Sequence, residues 1–297
     1  MKIIRAAHLG MCFGVRDAIA LALQHAKERP LTILGELVHN EAVLTSLRSQ
    51  GIGIAHQAEF VETPTAMITA HGASEGAIKR ARGLGLNIIE ATCPLVHFAH
   101  LSVAKLVRAG YHPIIVGKRD HVEVRGLTED LAEYDVVLDE NDIDALKARV
   151  RFGIAAQTTQ PIEKVRHLVS LIRQRFPNSE VQFTDTVCQP TKQRQLAAQE
   201  LARNSDVVIV IGGANSNNTR ELVTTCGRYC SRVFHVQDAA GLKPDWLFGA
   251  SAVGIAAGTS TPDAVIDEVE ERLEAFAREA GECDTQLTRP LSLLATS

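Results

Sequence analysis

Nowhere in the 297-residue sequence do two cysteines stand in a Cys-x-x-Cys pair, so neither a zinc ribbon nor a thioredoxin-type redox pair is readable locally. No apolar run reaches the roughly 18 residues that a membrane-spanning helix needs. The first residues, MKIIRAAHLGMCFGV, begin like a strand and lack the apolar core and cleavage site of a signal peptide. Positive charge is not in excess either: 31 Lys and Arg against 35 Asp and Glu give a net charge of −4. That balance argues against a nucleic acid or an anionic membrane surface as the main partner. A cytoplasmic protein is expected. What is present is ordinary globular material, 45% hydrophobic and 22% charged, enough for one large domain or two to three small ones. In a reducing compartment the six cysteines, Cys12, Cys93, Cys188, Cys226, Cys230 and Cys283, read as free thiols or metal ligands rather than a disulfide framework. Any metal site must then be assembled from distant parts of the chain.

Three of these cysteines share one setting. KIIRAAHLGMC, LNIIEATC and VQFTDTVC each read as a short apolar strand ending in cysteine, at separations of 81 and 95 residues. A helical pattern follows each: Val15, Ile19, Ala22 and Ala26 after Cys12; Val96, Ala99, Val103 and Leu106 after Cys93; Leu196, Ala197 and Leu201 after Cys188. Pro94 and Pro190 sit where the first turn of a helix accepts proline. Each cysteine is thus expected just before a helix N-terminus, where the dipole and free N–H groups favour a thiolate. Cys226 and Cys230 lie four apart on one expected helix and read as core residues.

Six other apolar strands end in small or polar loops that enter helical patterns. LTILG leads into ELVHN, AMITA into HGAS, PIIVG into KRDHVEVRG, FGIAA into QTTQP, VVIVIGG into ANSNN, and VGIAAG into TSTP. In the last, Thr261 is the expected N-cap and Pro262 the first helical residue. Strands alternating with helices indicate right-handed βα units and parallel sheets. Each unit then carries about four strands, and the N-terminal strand KIIRA completes the third unit, which otherwise lacks its last. The expected fold is α/β: three small αβα domains with mainly parallel sheets in a pseudo-threefold trefoil, the three cysteines near its centre. The domains span residues 13–93, 94–188 and 189–280, the third completed by strand 1–12, and residues 281–297 form a C-terminal tail.

In parallel sheets ligands bind beyond the C-terminal ends of the strands. Those ends carry His39 and Asn40, His71, His121 and Glu123, Gln157, Thr158 and Thr159, Asn215 to Asn218, and Ser260. The set is neutral and hydrogen-bonding, with one carboxylate. Loops entering helices also offer backbone N–H groups, so the pocket suits a phosphate or diphosphate. Thr and Asn cap helices routinely, and a single loop of this kind means little; six pointing the same way mean more. Three converging thiols can hold zinc with a histidine as fourth ligand, or an iron–sulfur cube with one iron left open as a Lewis acid. The pattern leaves both open.

The motifs GMCFGV, GELVHN, AHGAS, ATCPLV, HVEV, QTT, DTVC with TKQRQ, NSNN and AGTSTPD occur in the order and approximate spacing of one family. Over residues 3 to 265 the chain resembles the IspH/LytB family, the 4-hydroxy-3-methylbut-2-enyl diphosphate reductases of the methylerythritol phosphate route to isoprenoids. The resemblance implies a [4Fe-4S] cluster with three Cys ligands, Cys12, Cys93 and Cys188, and one open iron. It implies diphosphate contacts from His39, His71, His121, Ser216, Asn218 and Ser260, with Asn217 in the same loop, and a hydroxyl-positioning role for Thr158. Glu123 is then the acid that protonates the departing allylic hydroxyl. The products implied are isopentenyl and dimethylallyl diphosphate, and the electron donor a flavodoxin or ferredoxin. Three domains closing on one site need no second subunit.

Several positions depart from the family pattern. NSNN replaces NSSN, putting Asn217 where a serine is usual. Lys118, Arg119 and Asp120 precede His121, and Val122 replaces a proline. His97 and Phe98 replace a Thr-Lys pair, and Gln189 and Pro190 follow Cys188. None of these removes a thiol or the glutamate. Two alternatives stay compatible with the sequence: a paralogue that reduces another phosphorylated alcohol, and a non-catalytic iron–sulfur redox sensor.

Overall fold

The computed structural model describes residues 1–287, without the side chains of residues 280–287. Strand β1 (Lys2–Arg5) and helix α1 (Phe13–Glu28) come first. The first sheet contains β2 (Leu31–Leu34), β3 (Gly53–Ala55), β4 (Thr65–Ile68) and β5 (Asn87–Glu90), with α2 (Glu41–Ser49) and α3 (Glu75–Gly83) between them. After α4 (Pro94–Arg108), the second contains β6 (His112–Val116), β7 (Asp135–Val137), β8 (Arg151–Ala156) and β9 (Glu180–Phe183). Its crossovers are α5 (Val122–Thr128), α6 (Glu140–Asp144) and α7 (Ile162–Arg175). The third follows α8 (Gln189–Arg203) with β10 (Val207–Ile211), β11 (Val233–Val236) and β12 (Ala252–Ala257), joined by α9 (Asn217–Gly227) and closed by α10 (Asp263–Leu287).

All three sheets have four strands and every pairing is parallel. Their orders are β3-β2-β4-β5, β7-β6-β8-β9 and, read in the same sense, β11-β10-β12-β1. The expected borrowing of the N-terminal strand is what occurs: β1 lies beside β12 in the register Lys2↔Ala252 to Arg5↔Ile255. Central strands are covered by helices on both faces, so β10, VVIVI, is buried at every residue instead of alternating. Separate apolar cores follow, one around Phe152, Ile154 and Ile172, another around Ile33, Leu37 and Met67, and two flanking the third sheet.

Three details differ from the sequence reading. Helix α10 starts at Asp263, one residue later than expected, because Ile266 N–H bonds Pro262 O and so makes Pro262 the residue before the helix. The Thr261 hydroxyl instead donates to Ile211 O at 3.1 Å. Cys226 lies on α9 but Cys230 lies beyond its end; both are buried, as a core role requires. The tail expected from residue 281 begins inside α10, which runs unbroken to Leu287. The Cys283 side chain lies outside the described residues.

Candidate functional site

Cys12, Cys93 and Cys188 are the residues immediately preceding α1, α4 and α8, as the strand-to-helix pattern predicts. Each lies in the loop that follows an edge strand paired with a central one, and that loop runs beside the end of the central strand. The Cys12 N–H therefore bonds Thr259 O (3.0 Å), Cys93 N–H bonds Ala70 O (3.1 Å), and Cys188 N–H bonds Thr158 O (3.0 Å). Every thiol is thus tied to a loop that carries a polar residue of the pocket. The start of α1 presses on Cys93: a Cβ at Gly14 would lie 2.5 Å from its Sγ.

Cys93 and Cys188 are not the lowered-pKa groups that a helix N-terminus alone would produce. Burial pushes Cys93 up and Cys188 up to about 11, overcoming hydrogen bonds from Leu95 and Val96 at the first and from Thr191 at the second. Sulfurs enclosed this way, with N–H groups aimed at them, are suited to thiolates only when a cation shares the space. One buried cation is already near. Arg194 on α8 donates from Nε (3.0 Å) and Nη2 (2.7 Å) to Gly10 O and from Nη1 to Pro190 O (3.1 Å), joining the Cys12 and Cys188 segments. Sequence reasoning assigned Arg194 no role; a charge among the residues that α8 buries beside Ala197, Ala198 and Leu201 was the available signal.

The loops after β2, β4 and β6 bring three imidazoles together. Ring centroids of His39 and His71 stack at 4.4 Å, and His121 meets them edge-on at 5.2 and 5.6 Å. Their ligand-type atoms all lie within 4.8 Å of one another, and among the described residues this is the one His/Cys/Asp/Glu group so close. Hydrogen bonding decides between a cation and an anion here. His121, the residue before α5, accepts the Glu123 N–H at Nδ1 (3.1 Å), so its neutral ring carries the proton on Nε2 and presents a donor, not a lone pair. His39 Nδ1 faces the Glu36 carboxylate at 2.9 Å. Burial and the neighbouring rings hold His71 well below the ordinary histidine value, and burial first, then His39 and nearby Arg220, Lys118 and Arg125, puts His121 at about 3. With the His121 Nε2–H presented as a donor and His39 Nδ1 taken up by Glu36, the three rings form a site for an anion rather than a cation. Glu36, three residues before His39 in GELVHN, escaped the sequence reading.

Glu123 is 1% exposed. Thr158 grips it twice, with its N–H on Oε1 at 2.6 Å and its hydroxyl on Oε2 at 3.0 Å. Desolvation outweighs both bonds and pushes the carboxyl up to about 7. This is a buried acid that can carry a proton near neutrality and release it.

The third unit supplies the remaining wall. Ser216 caps α9 by accepting Thr219 N–H at 3.3 Å, which leaves its hydroxyl proton free to donate. Asn218 Oδ1 accepts Thr259 N–H (3.0 Å), while its Nδ2 is buried without a partner among the described residues. Ser260 Oγ donates to His39 O at 3.3 Å, and Gly213 packs so tightly there that a Cβ would lie 2.1 Å from His39 O. Asn217 is brought to the same place, but its carboxamide turns toward Thr159, donating to Thr159 O (3.3 Å) and Oγ1 (3.2 Å). Lys118 and Arg119 remain exposed, as do His97 and Phe98 on α4.

Three parallel αβα units that set three helix-capping thiols beside an anion pocket and a buried acid define a protein built for metal-assisted chemistry on an anionic ligand. The profile described as "LytB protein" matches residues 3–274, and the chain belongs to the LytB family. A 4-hydroxy-3-methylbut-2-enyl diphosphate reductase of Trichlorobacter lovleyi is 36% identical over 276 residues, covering 92% of this chain and 98% of that one. A solved structure of (E)-4-hydroxy-3-methyl-but-2-enyl diphosphate reductase, described as the terminal enzyme of the non-mevalonate pathway, is 35% identical with a TM-score of 0.65, over 93% and 100% of the two chains. The Plasmodium falciparum E-1-hydroxy-2-methyl-but-2-enyl-4-diphosphate reductase is 25% identical with a TM-score of 0.84, over 92% and 87%.

Proposed function

We propose that this chain reductively dehydroxylates 4-hydroxy-3-methylbut-2-enyl diphosphate, giving isopentenyl and dimethylallyl diphosphate and water. The observation that carries the reading is Glu123, a buried carboxyl with its pKa pushed up to about 7, two residues from the imidazole of an anion pocket. The balance is two electrons and two protons in, and one allylic C–O bond exchanged for a C–H bond.

Cys12, Cys93 and Cys188 are the residues that would hold a [4Fe-4S] cluster. Their sulfurs do not form a group within 4.8 Å, whereas a single tetrahedral zinc with Zn–S bonds of about 2.3 Å would gather sulfurs to about 3.8 Å. The wider spacing supports a larger cluster. When bound, such a cluster with one open iron supplies electrons and a Lewis acid to the departing hydroxyl. A one-electron carrier protein of the flavodoxin or ferredoxin class is the matching donor.

The rest is done by the protein. His39, His71 and His121, the Ser216 and Ser260 hydroxyls, the Asn218 carboxamide and the free N–H groups of Asn217 and Asn218 at the start of α9 hold the diphosphate. These contacts lie away from the reacting carbon and supply orientation. Thr158 positions the substrate hydroxyl and the acid together. Glu123 protonates the departing oxygen, turning hydroxide, a poor leaving group, into water. The deciding experiment is anaerobic turnover of iron–sulfur-reconstituted protein with a strong reductant and this diphosphate, with products identified by mass and retention. Both C5 diphosphates are expected; an intact cluster spectrum with no product refutes the assignment.

A further inference from the structure

Asn217 stands where the third unit meets the second. Its Nδ2 donates to both acceptors of Thr159, the carbonyl at 3.3 Å and Oγ1 at 3.2 Å. Thr159 Oγ1 also accepts from Gln157 Nε2 at 3.0 Å, and Gln157 Oε1 accepts from Lys118 N–H (3.1 Å) and Gln160 Nε2 (3.2 Å). Thr158, between Gln157 and Thr159, makes both contacts to Glu123. A continuous set of hydrogen bonds therefore joins the N-terminus of α9 to the loop that holds the buried acid. Asn217, Gln157 and Thr158 are buried and Thr159 is half-buried, so these bonds are partly shielded from water.

We propose that Asn217 is a positioning residue: its carboxamide latches the start of α9 onto the β8–α7 loop, so that Thr158 is already set on Glu123 before substrate arrives. A serine in its place ends at the first heavy atom beyond Cβ, whereas the carboxamide nitrogen is the second. Serine at the first position of α9 stops short of Thr159 and leaves the loop to be ordered by the ligand. With asparagine the ordering is built in, and less of the binding free energy is lost in organising the loop. The inference adds to the function proposed above and rests on it only for the turnover measurements.

The test uses full-length Asn217→Ser, Asn217→Asp and Thr159→Val. Asp is nearly isosteric but cannot donate, and its charge faces the Thr159 carbonyl; Val removes Oγ1 from the other side of the contact. Hydrogen exchange of the amides of residues 157–161, measured on ligand-free protein, needs no turnover. It should quicken by about five-fold or more in the two Asn217 variants and in the same direction in Thr159→Val, the scale of losing one net hydrogen bond. Inorganic diphosphate should bind about five-fold more weakly, and KM should rise by a similar factor with kcat changed less than about two-fold. Unchanged exchange in Asn217→Asp and Thr159→Val overturns the latch. An Asn217→Ser protein that keeps full diphosphate affinity while its loop exchanges fast overturns the claim that the built-in order of the loop aids binding. If the parent protein forms no product, the functional reading fails while the exchange result still decides the latch.

Discussion

Replacing Glu123 with Gln isolates the proton held at the centre of the site. The carboxamide has the same shape: its oxygen can accept Thr158 N–H, and its nitrogen can donate to the Thr158 hydroxyl, so both contacts survive. What disappears is a titration that burial moves from 4.5 to about 7. That rise is worth about 3 kcal/mol between the two protonation states. The folded state holds its proton more tightly than the unfolded state does. The resulting stability is fully present below the ordinary carboxyl value and lost as pH rises through about 7. The Glu123→Gln protein has no such loss, so it should gain on the parent by about 3 kcal/mol between about pH 4.5 and pH 8. For a chain of 297 residues this corresponds to about 5 °C in unfolding midpoint. Thermal unfolding of both proteins across that range reads it directly. Turnover should show the same group. Parent kcat should fall as pH passes above about 7, and the Glu123→Gln variant should lose ~10²–10⁴-fold in kcat with its cluster spectrum unchanged. Parallel unfolding curves, or full turnover by the variant, would refute the role assigned to Glu123.

Two further outcomes follow from the pocket. Because His71 is held neutral by burial and its Nδ1 has no hydrogen-bond partner among the described residues, a diphosphate placed beside it should raise its affinity for protons, so binding near pH 6 should take up protons. Calorimetry of inorganic diphosphate in buffers of different ionisation enthalpy measures that uptake, and a zero slope contradicts it. Gly213→Ala would put a Cβ 2.1 Å from His39 O, where backbone must move. Diphosphate affinity should drop by about ten-fold or more with Cys93 and Cys188 chemistry undisturbed; unchanged affinity means that the two units do not need to meet so closely.

The layout of sheets and thiols was readable because parallel βα units repeat the same local signals. A buried strand is a short apolar run, its end is a polar loop, and the cysteine comes before a helix. VVIVI, LTILG and KIIRA behave as their residues dictate. The strand-end residues were readable for the same reason, since topology alone brings His39, His71 and His121 to one place. Other features were not local. The helix dipole at Cys188 argued for an acidic thiol, but burial, which depends on all three units, moves it the other way. Asn217 looked like a longer substitute for serine in a binding loop, and only the position of Thr159, 58 residues earlier, shows where its amide goes. Glu36 gave no periodic signal and Arg194 only its place on the buried face of α8; their partners, His39 and Gly10 O, define them.

The pairing of β1 with β12 also sets a timetable for the growing chain. Lys2 to Arg5 cannot take their place until Ala252 to Ile255 have been made, and Cys12 is fixed by Thr259 just beyond. At about 5–20 residues per second, that delay lasts on the order of ten to fifty seconds, during which the first two sheets can close on their own. Cys93 and Cys188 are thus in position well before the third thiol. Synthesis must pass Thr259 before Cys12 has its place, so a group held by all three thiols could form only after the third sheet, and Cys12 is the thiol most in need of protection until then.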